Sequence, residues 1–249
     1  MNPLTKIVAL LASLILLAPQ AFAAIGCTLS NPAADLKYLY PEMTSYKEEV
    51  RELPRLADGD TLYGKLRDRA GPLDPIYEAY DTPYTLYSVF KGDTRIGHVH
   101  GVNVPGRGGV IQLFVSTDPD SARIRSIFFQ RLESPAGKAL RDKAFRARFA
   151  GLTLGDFYKH DYYAVADPTS SADPLAKALQ PPGTLTAAGA DDFASAMRGL
   201  RKNLILLDIF AYGMRHEPFF EKAREALAAR AATPPPRAPA NPPSTNPRK

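Results

Sequence analysis

The segment Glu133-Ser134-Pro135-Ala136-Gly137-Lys138 joins an apolar stretch typical of a strand to a run of helix-forming residues. Free backbone N–H groups at the start of a helix, together with the helix dipole, favour an anion such as a phosphate. Lys138 would add positive charge to such a cradle. The alternative is a capped helix start without a ligand. Both interpretations stay open on these residues alone.

A second candidate anion site is the glycine-rich stretch Pro105-Gly106-Arg107-Gly108-Gly109. Successive backbone N–H groups in such a stretch can form a concave nest for an anion. The stretch lacks the Lys-Ser/Thr ending of a P-loop, which argues against a nucleoside triphosphate. We therefore favour a wide connection between two strands of a hairpin.

His98 and His100 stand two residues apart in an alternating stretch. In a strand this spacing places both imidazoles on one face, where they could present two nitrogens to a metal. A metal site needs a third and usually a fourth ligand, for which His160 and Asp161 are the candidate source. Single histidine pairs are more often structural, so we expect no metal site, and a metal-dependent hydrolase is the weakest of the alternatives.

A group of aromatic residues at 157–163 could stack on a flavin ring or on a partner protein. The alternative, which we favour, is that these side chains pack on the sheet. The group consists of Phe157, Tyr158, Tyr162 and Tyr163. The chain has no G-x-S-x-G motif, so nothing indicates a serine hydrolase.

The elements that must position these residues are strands followed by helices. Alternating apolar residues bounded by turn residues predict an antiparallel meander of roughly four strands. These strands are expected at 85–90, 94–104, 110–116 and 124–130. Such a sheet needs a covering layer, which helices can supply. The sequence therefore predicts a single α+β domain.

The helices are predicted from capping residues and helical spacing of apolar residues. They are expected at 31–39, 134–150, from 190 or 191 through Leu207, and at 217–231. Residues 45–53 are predicted to be a short helical or extended piece. Residues 54–83 are predicted to be loop with short elements, and 152–186 to be irregular.

Both ends of the chain differ from the middle. Residues 1–24 combine a positive start, a short apolar run and an A-x-A cleavage pattern, which predicts a bacterial secretory signal peptide. Residues 233–249 are rich in proline and predict a disordered tail. The tail carries three of the five net positive charges and Lys6 a fourth, so residues 25–232 carry +1. A nearly neutral domain argues against nucleic acid as a partner.

Cys27 is the only cysteine, so the fold cannot rely on an internal disulfide. Ala24-Ile25-Gly26-Cys27 could be a lipobox in which Cys27 carries a lipid. The alternative is cleavage after Ala23, which we favour because Ala21-Phe22-Ala23 fits an ordinary signal peptidase site. We therefore expect a periplasmic protein whose only membrane contact would be through lipidated Cys27.

The order of these pieces between Leu36 and Leu207 resembles the FMN-binding domain family, which includes the periplasmic flavin domain of the nitrous oxide reductase regulator and the G subunits of Rnf-type complexes. Each family motif has a similar segment here. These segments are Leu39-Tyr40-Pro41, Gly92 to Val99, Ile111 to Asp118, Glu133-Ser134-Pro135-Ala136-Gly137, and Ala188-Gly189-Ala190-Asp191.

The resemblance implies that residues 133–138 and Ala188, Gly189, Ala190 and Asp191 lie against FMN. The family esterifies FMN to a threonine that is replaced here by Asp191, which cannot form the same phosphodiester. We therefore expect noncovalent FMN at most, in an electron-transfer or redox-complex accessory protein. The alternative is an envelope binding or assembly module that kept the fold and lost the cofactor.

Overall fold

The computed structural model describes residues 26–167 and 172–232. Five antiparallel strands form one open sheet in the order β1-β2-β3-β4-β5, so each strand pairs with its neighbours along the chain. The strands are β1 Ser45–Arg51, β2 Tyr84–Lys91, β3 Thr94–Gly106, β4 Gly109–Thr117 and β5 Ile124–Arg131. With the helices on both faces, this is the α+β fold predicted from the sequence, and its five strands agree with the prediction of roughly four or more.

Seven helices accompany the sheet in the described part of the chain. They are α1 Pro32–Leu39, α2 Gly59–Ala70, α3 Gly137–Arg141, α4 Lys143–Ala147, α5 Leu154–Ala166, α6 Ala187–Phe210 and α7 Glu217–Ala232. None of them is long and apolar enough to cross a bilayer. The predicted signal peptide, 1–24, and the predicted tail, 233–249, lie outside the described residues.

The long helix α6 covers one face of the sheet. Alternate residues of the central strands β3 and β4, such as Val102 and Leu113, point to this face and are fully buried. Gly199 lets the helix approach the sheet closely, since a β-carbon there would lie 3.1 Å from a methyl group of Val104. Burial of this apolar layer supplies the main stabilisation of the domain.

The N-terminal segment covers the opposite face. Cys27, Leu29 and Leu36 pack with Tyr87 in a second apolar cluster. Tyr40, just after α1, is fully buried and its hydroxyl donates to the carbonyl of Thr117 at 2.8 Å. The sheet is therefore packed on both faces, and the N-terminal segment belongs to the core.

Two segments predicted to be loop or irregular contain helices. Residues 54–83 contain the helix α2, whose apolar side chains at Leu62 and Leu66 follow helical spacing but are separated by polar and glycine residues. Residues 152–186 contain the helix α5, which begins at a capping box of Thr153 and Asp156. Both helices are short amphipathic elements held by packing, for which local sequence is a weak signal.

The predicted helix 134–150 is two five-residue helices, α3 and α4. Asp142 separates them because its carboxylate accepts from the N–H groups of Ala144 and Phe145, at 2.9 and 3.1 Å, and so caps a new helix. The helix predicted to begin at residue 190 or 191 begins at Ala187, with Thr186 as its cap. Residues 45–53, left open between helix and strand, contain the strand β1.

Candidate functional site

The tip of the β3–β4 hairpin lies directly on the segment that follows β5. Arg107 and Gly108 form a two-residue turn, because Gly106 pairs with Gly109. The wide connection predicted at 105–109 is thus wrong, since both strands extend into it. A β-carbon on Gly108 would lie 2.0 Å from the carbonyl oxygen of Glu133, so only glycine permits this backbone contact.

The first turn of α6 reaches the same segment from the other side. Gly189 is buried, and a β-carbon there would lie 3.4 Å from the β-carbon of Ala136 and 3.6 Å from its nitrogen. The Thr186 hydroxyl accepts from the N–H of Gly189 at 3.1 Å, which fixes the start of the helix. Two segments more than fifty residues apart in sequence, 133–138 and 188–191, therefore meet at one corner of the sheet.

The backbone at 134–137 forms a tight turn. The Ser134 hydroxyl accepts from the N–H of Ala136 at 3.1 Å, and the Ser134 carbonyl accepts from the N–H of Gly137 at 2.9 Å. The helix that follows has only five residues and no side-chain cap. A dipole from so short a helix is small, so any attraction for an anion here must come mainly from side chains such as Lys138.

Two carboxylates from α6 occupy the hairpin turn. The side chain of Asp191 forms an exposed ion pair with the guanidinium of Arg107, with Nε at 2.9 Å from the carboxylate. This pairing raises the pKa of Arg107. The backbone N–H of Arg107 donates to the buried carboxylate of Asp192 at 2.7 Å. The glycine-rich turn, which the sequence suggested as an anion site, therefore binds carboxylates of the protein itself.

A cleft of about 510 Å³ opens beside this corner. Its volume lies within the range of small-molecule sites. Lys138 and Arg148 supply positive charge, and Asp142 supplies one negative charge. The apolar part of its wall consists of Pro135, Ala136, Ala139, Ala144, Phe145, Pro182 and Leu185. The cleft thus combines cations with an apolar surface, which suits a ligand with an anionic group and a flat apolar body.

The histidines of β3 lie on the face covered by α6, both on one side as their spacing predicts. Nδ1 of His100 is 2.9 Å from Oδ1 of Asn203, and Nδ1 of His98 is 3.3 Å from the hydroxyl of Ser88. Burial lowers the pKa of both histidines to about 4, so they are neutral at physiological pH.

The third histidine considered as a ligand lies elsewhere. His160, on α5, pairs with Asp173, while Asp161 pairs with Arg201. Within the described residues, no three His, Cys, Asp or Glu side chains are grouped so as to hold a metal ion. His98 and His100 are buried and hydrogen-bonded to Ser88 and Asn203, and they lie apart from His160.

The aromatic residues at 157–163 lie on α5, away from the corner. Tyr158 is fully buried and its ring packs against Phe220 of α7, with centroids 5.3 Å apart. Tyr162 and Tyr163 form a neighbouring pair at 5.6 Å. The prediction that this group packs on the sheet is wrong for Tyr158, which packs against a helix.

A buried charge cluster, not predicted from the sequence, lies between the α2–β2 connection and α6. Glu78 and Lys202 are both fully buried, with Nζ of Lys202 3.0 Å from the carboxylate, and Arg198 contacts the same carboxylate at 2.8 Å. Burial lowers the pKa of Lys202 to about 8, and Glu78 opposes that shift. The i, i+4 spacing of Arg198 and Lys202 could have indicated a shared partner, but not which carboxylate supplies it.

No known protein-family model matches this chain, and no characterised protein matches it significantly. The assignment of a function therefore depends on the corner and the cleft themselves.

Proposed function

We propose that the chain is a periplasmic flavin-domain-like protein that binds FMN noncovalently and serves an electron-transfer system. The observation that carries this proposal is the contact between Gly189 and Ala136. It joins the two segments for which the family resemblance implies flavin contact, and Pro135, Ala136 and Lys138 of the first segment line a cleft of suitable size, whereas residues 188–191 do not line it. The bound flavin would supply the redox chemistry, and the protein would set its position and environment.

The residues of the cleft fit the parts of FMN. Lys138 and Arg148 would bind the phosphate, since both carry the charge that a phosphate attracts. Pro135, Ala139 and Leu185 would pack on the ring system, whose burial favours binding. Asp191 offers no attachment chemistry and is already paired with Arg107, which supports a noncovalent complex.

The location of Cys27 bears on how the protein is held in the envelope. Cys27 is 2% exposed within the second apolar cluster, and burial raises its pKa to about 12. A diacylglycerol on this sulfur would have to displace core side chains. This supports cleavage after Ala23 and a protein free in the periplasm over a lipid-anchored protein.

A second candidate function is a cofactor-free envelope module that binds a partner or assists assembly of a redox complex. The observation that favours it is the pairing of Asp191 and Asp192 with Arg107, which puts two carboxylates at the corner where a phosphate would otherwise contact the hairpin. The predicted basic, proline-rich tail would then be available for the partner.

Equilibrium dialysis of the mature protein against FMN separates the two functions. We expect the protein to bind FMN at micromolar concentration. Lys138→Glu should weaken this binding by about tenfold, because it replaces a positive charge in the cleft with a negative one. Lys143→Glu is the matched control, because Lys143 is exposed on α4 and does not line the cleft. Absence of binding at high micromolar FMN would leave only the cofactor-free function.

A further inference from the structure

A larger pocket lies among four helices on the α6 side of the molecule. Its volume is about 710 Å³, and residues of α2, α5, α6 and α7 line it together with the segment around Leu175. The apolar wall includes Phe157, Leu175, Leu179, Met197, Phe220 and Leu227. A pocket of this size and composition can enclose most of a small organic ligand.

Arginines provide most of the charge in this wall. Arg69, Arg198 and Arg201 line the pocket with side chains that are 3%, 24% and 23% exposed. Arg224 lies at the mouth and is more exposed. Such a concentration of guanidinium groups around an apolar cavity is costly unless anions balance it.

Each arginine of this wall has a carboxylate partner in the protein, but two of these carboxylates are shared. Glu217 is shared by Arg69 and Lys65, and Glu78 is shared by Arg198 and Lys202. Each of these two carboxylates thus faces two cations. The remaining pairs are Asp161 with Arg201, Glu221 with Arg224 and Asp173 with His160, and the exposed Asp68 also lines the pocket.

The guanidinium groups also have spare donors. Nε of Arg69, Nη1 of Arg198 and Nε of Arg201 are buried, and none has a hydrogen-bond acceptor among the described residues. Each guanidinium has five N–H groups, so one carboxylate cannot satisfy it. All three arginines line the pocket, so these unsatisfied donors belong to residues of its wall.

We propose that this pocket binds a small amphiphilic carboxylate, with its head group on Arg69, Arg198 and Arg201 and its apolar body against the leucine-rich wall. The guanidinium fork matches a carboxylate in two parallel hydrogen bonds, which favours this head group. The apolar wall adds affinity in proportion to the area that it removes from water.

This pocket is separate from the proposed flavin cleft, and the two sets of lining residues do not overlap. Arg198 follows Gly189 by nine residues on α6, which corresponds to roughly 14 Å along the helix axis. We therefore expect a variant that loses ligand binding in this pocket to keep FMN binding at the corner. A variant that loses FMN binding should likewise keep ligand binding in this pocket.

The test is a titration of the full mature chain with decanoate, with decanol as the uncharged analogue. The chain contains no tryptophan, so Leu227→Trp places a single fluorophore at the pocket mouth. Decanoate is expected to bind at least about tenfold more tightly than decanol, because only the carboxylate engages the arginines. Calorimetry on the unmodified protein provides a second measurement without the tryptophan.

Two substitutions locate the binding. Arg201→Gln and Leu179→Asp should each weaken decanoate about tenfold or more, by removing a cation or adding a like charge. Arg230→Gln is the control, since Arg230 is exposed on α7 and does not line this pocket. Circular dichroism checks that the variants are folded.

Equal affinity for decanoate and decanol, no binding at millimolar decanoate, or an equal loss in the Arg230→Gln control would overturn the proposal.

Discussion

Gly189 of α6 packs against Ala136. A β-carbon at position 189 would lie 3.4 Å from the Ala136 β-carbon, which leaves little space for a larger side chain. This contact connects the start of the longest helix to the turn after the last strand. The hairpin tip at Gly108 touches the same turn from the other side. The corner is thus built by three backbone segments whose close approach depends on small residues.

The corner should tolerate a methyl group at position 189 but not a branched side chain. We expect Gly189→Ala to change the stability by less than about 1 kcal/mol, because the helix preference of alanine offsets the close approach of its β-carbon, at 3.2 Å, to the Thr186 hydroxyl. Gly189→Val should destabilise the protein by about 1–3 kcal/mol through overpacking and weaken FMN binding. Urea unfolding and FMN titration measure both effects. Ala194→Val is the control, since Ala194 is exposed on the same helix and lies outside both segments; an equal loss in both variants would show that the contact is unimportant.

Asp191 should oppose the binding of a phosphate at the corner. We expect Asp191→Asn to tighten FMN binding several-fold, because it removes a negative charge near the cleft, and to leave riboflavin binding unchanged. The protein should stay folded, because the ion pair with Arg107 is largely exposed. Asp93→Asn, in the exposed β2–β3 turn, changes the same charge at a distant place. If FMN affinity does not change in Asp191→Asn, the phosphate does not lie near this corner.

The strands and the terminal helices could be predicted because their signals are local. β2 to β5 show period-two alternation between turn residues, and the cap of α1 is evident in Asn31 followed by Pro32. The α+β class follows from the order of these elements. The strand β1 was ambiguous because its charged residues hide the alternation, and it lies at the sheet edge where one side stays exposed.

The charge cluster and the arginine-lined pocket could not be predicted, because both depend on distant contacts. Glu78 lies in a stretch expected to be loop, and its partner Lys202 follows it by more than a hundred residues. The pocket joins four helices, two of which were not predicted. The corner was partly predictable, because the resemblance named both of its segments, but the pairing of Asp191 with Arg107 was not.

Glu78 should be the most sensitive member of the buried charge cluster. Glu78→Gln removes the carboxylate that serves both Arg198 and Lys202, so we expect a loss of about 3–5 kcal/mol in the free energy of unfolding. Arg198→Gln should cost less, because Lys202 still pairs with the carboxylate. Urea unfolding at neutral pH measures this order, with Glu225→Gln on the exposed side of α7 as the control. A smaller loss for Glu78→Gln than for Arg198→Gln would contradict the arrangement.

The neutral histidines of β3 should make the fold sensitive to acid. Burial lowers their pKa from 6.5 to about 4, so between these values the unfolded chain binds protons that the folded chain does not. Stability is therefore unaffected above pH 6.5 and falls as the pH decreases toward 4, by at most about 3 kcal/mol for each histidine. The double variant His98→Gln/His100→Gln should show a shallower decline. Equal slopes for the two proteins, measured by urea unfolding between pH 7.5 and 4, would show that these histidines are already protonated or accessible.

FMN is proposed to bind at the corner where 133–138 meets 188–191. Nuclear magnetic resonance of the isotope-labelled mature chain tests it directly, by following backbone amide shifts during titration with FMN. We predict that the largest shifts fall on those two segments and on Arg148 and Leu185 in the cleft wall. Shifts confined to the pocket around Arg69 and Arg201, or no shifts at high micromolar FMN, would contradict it.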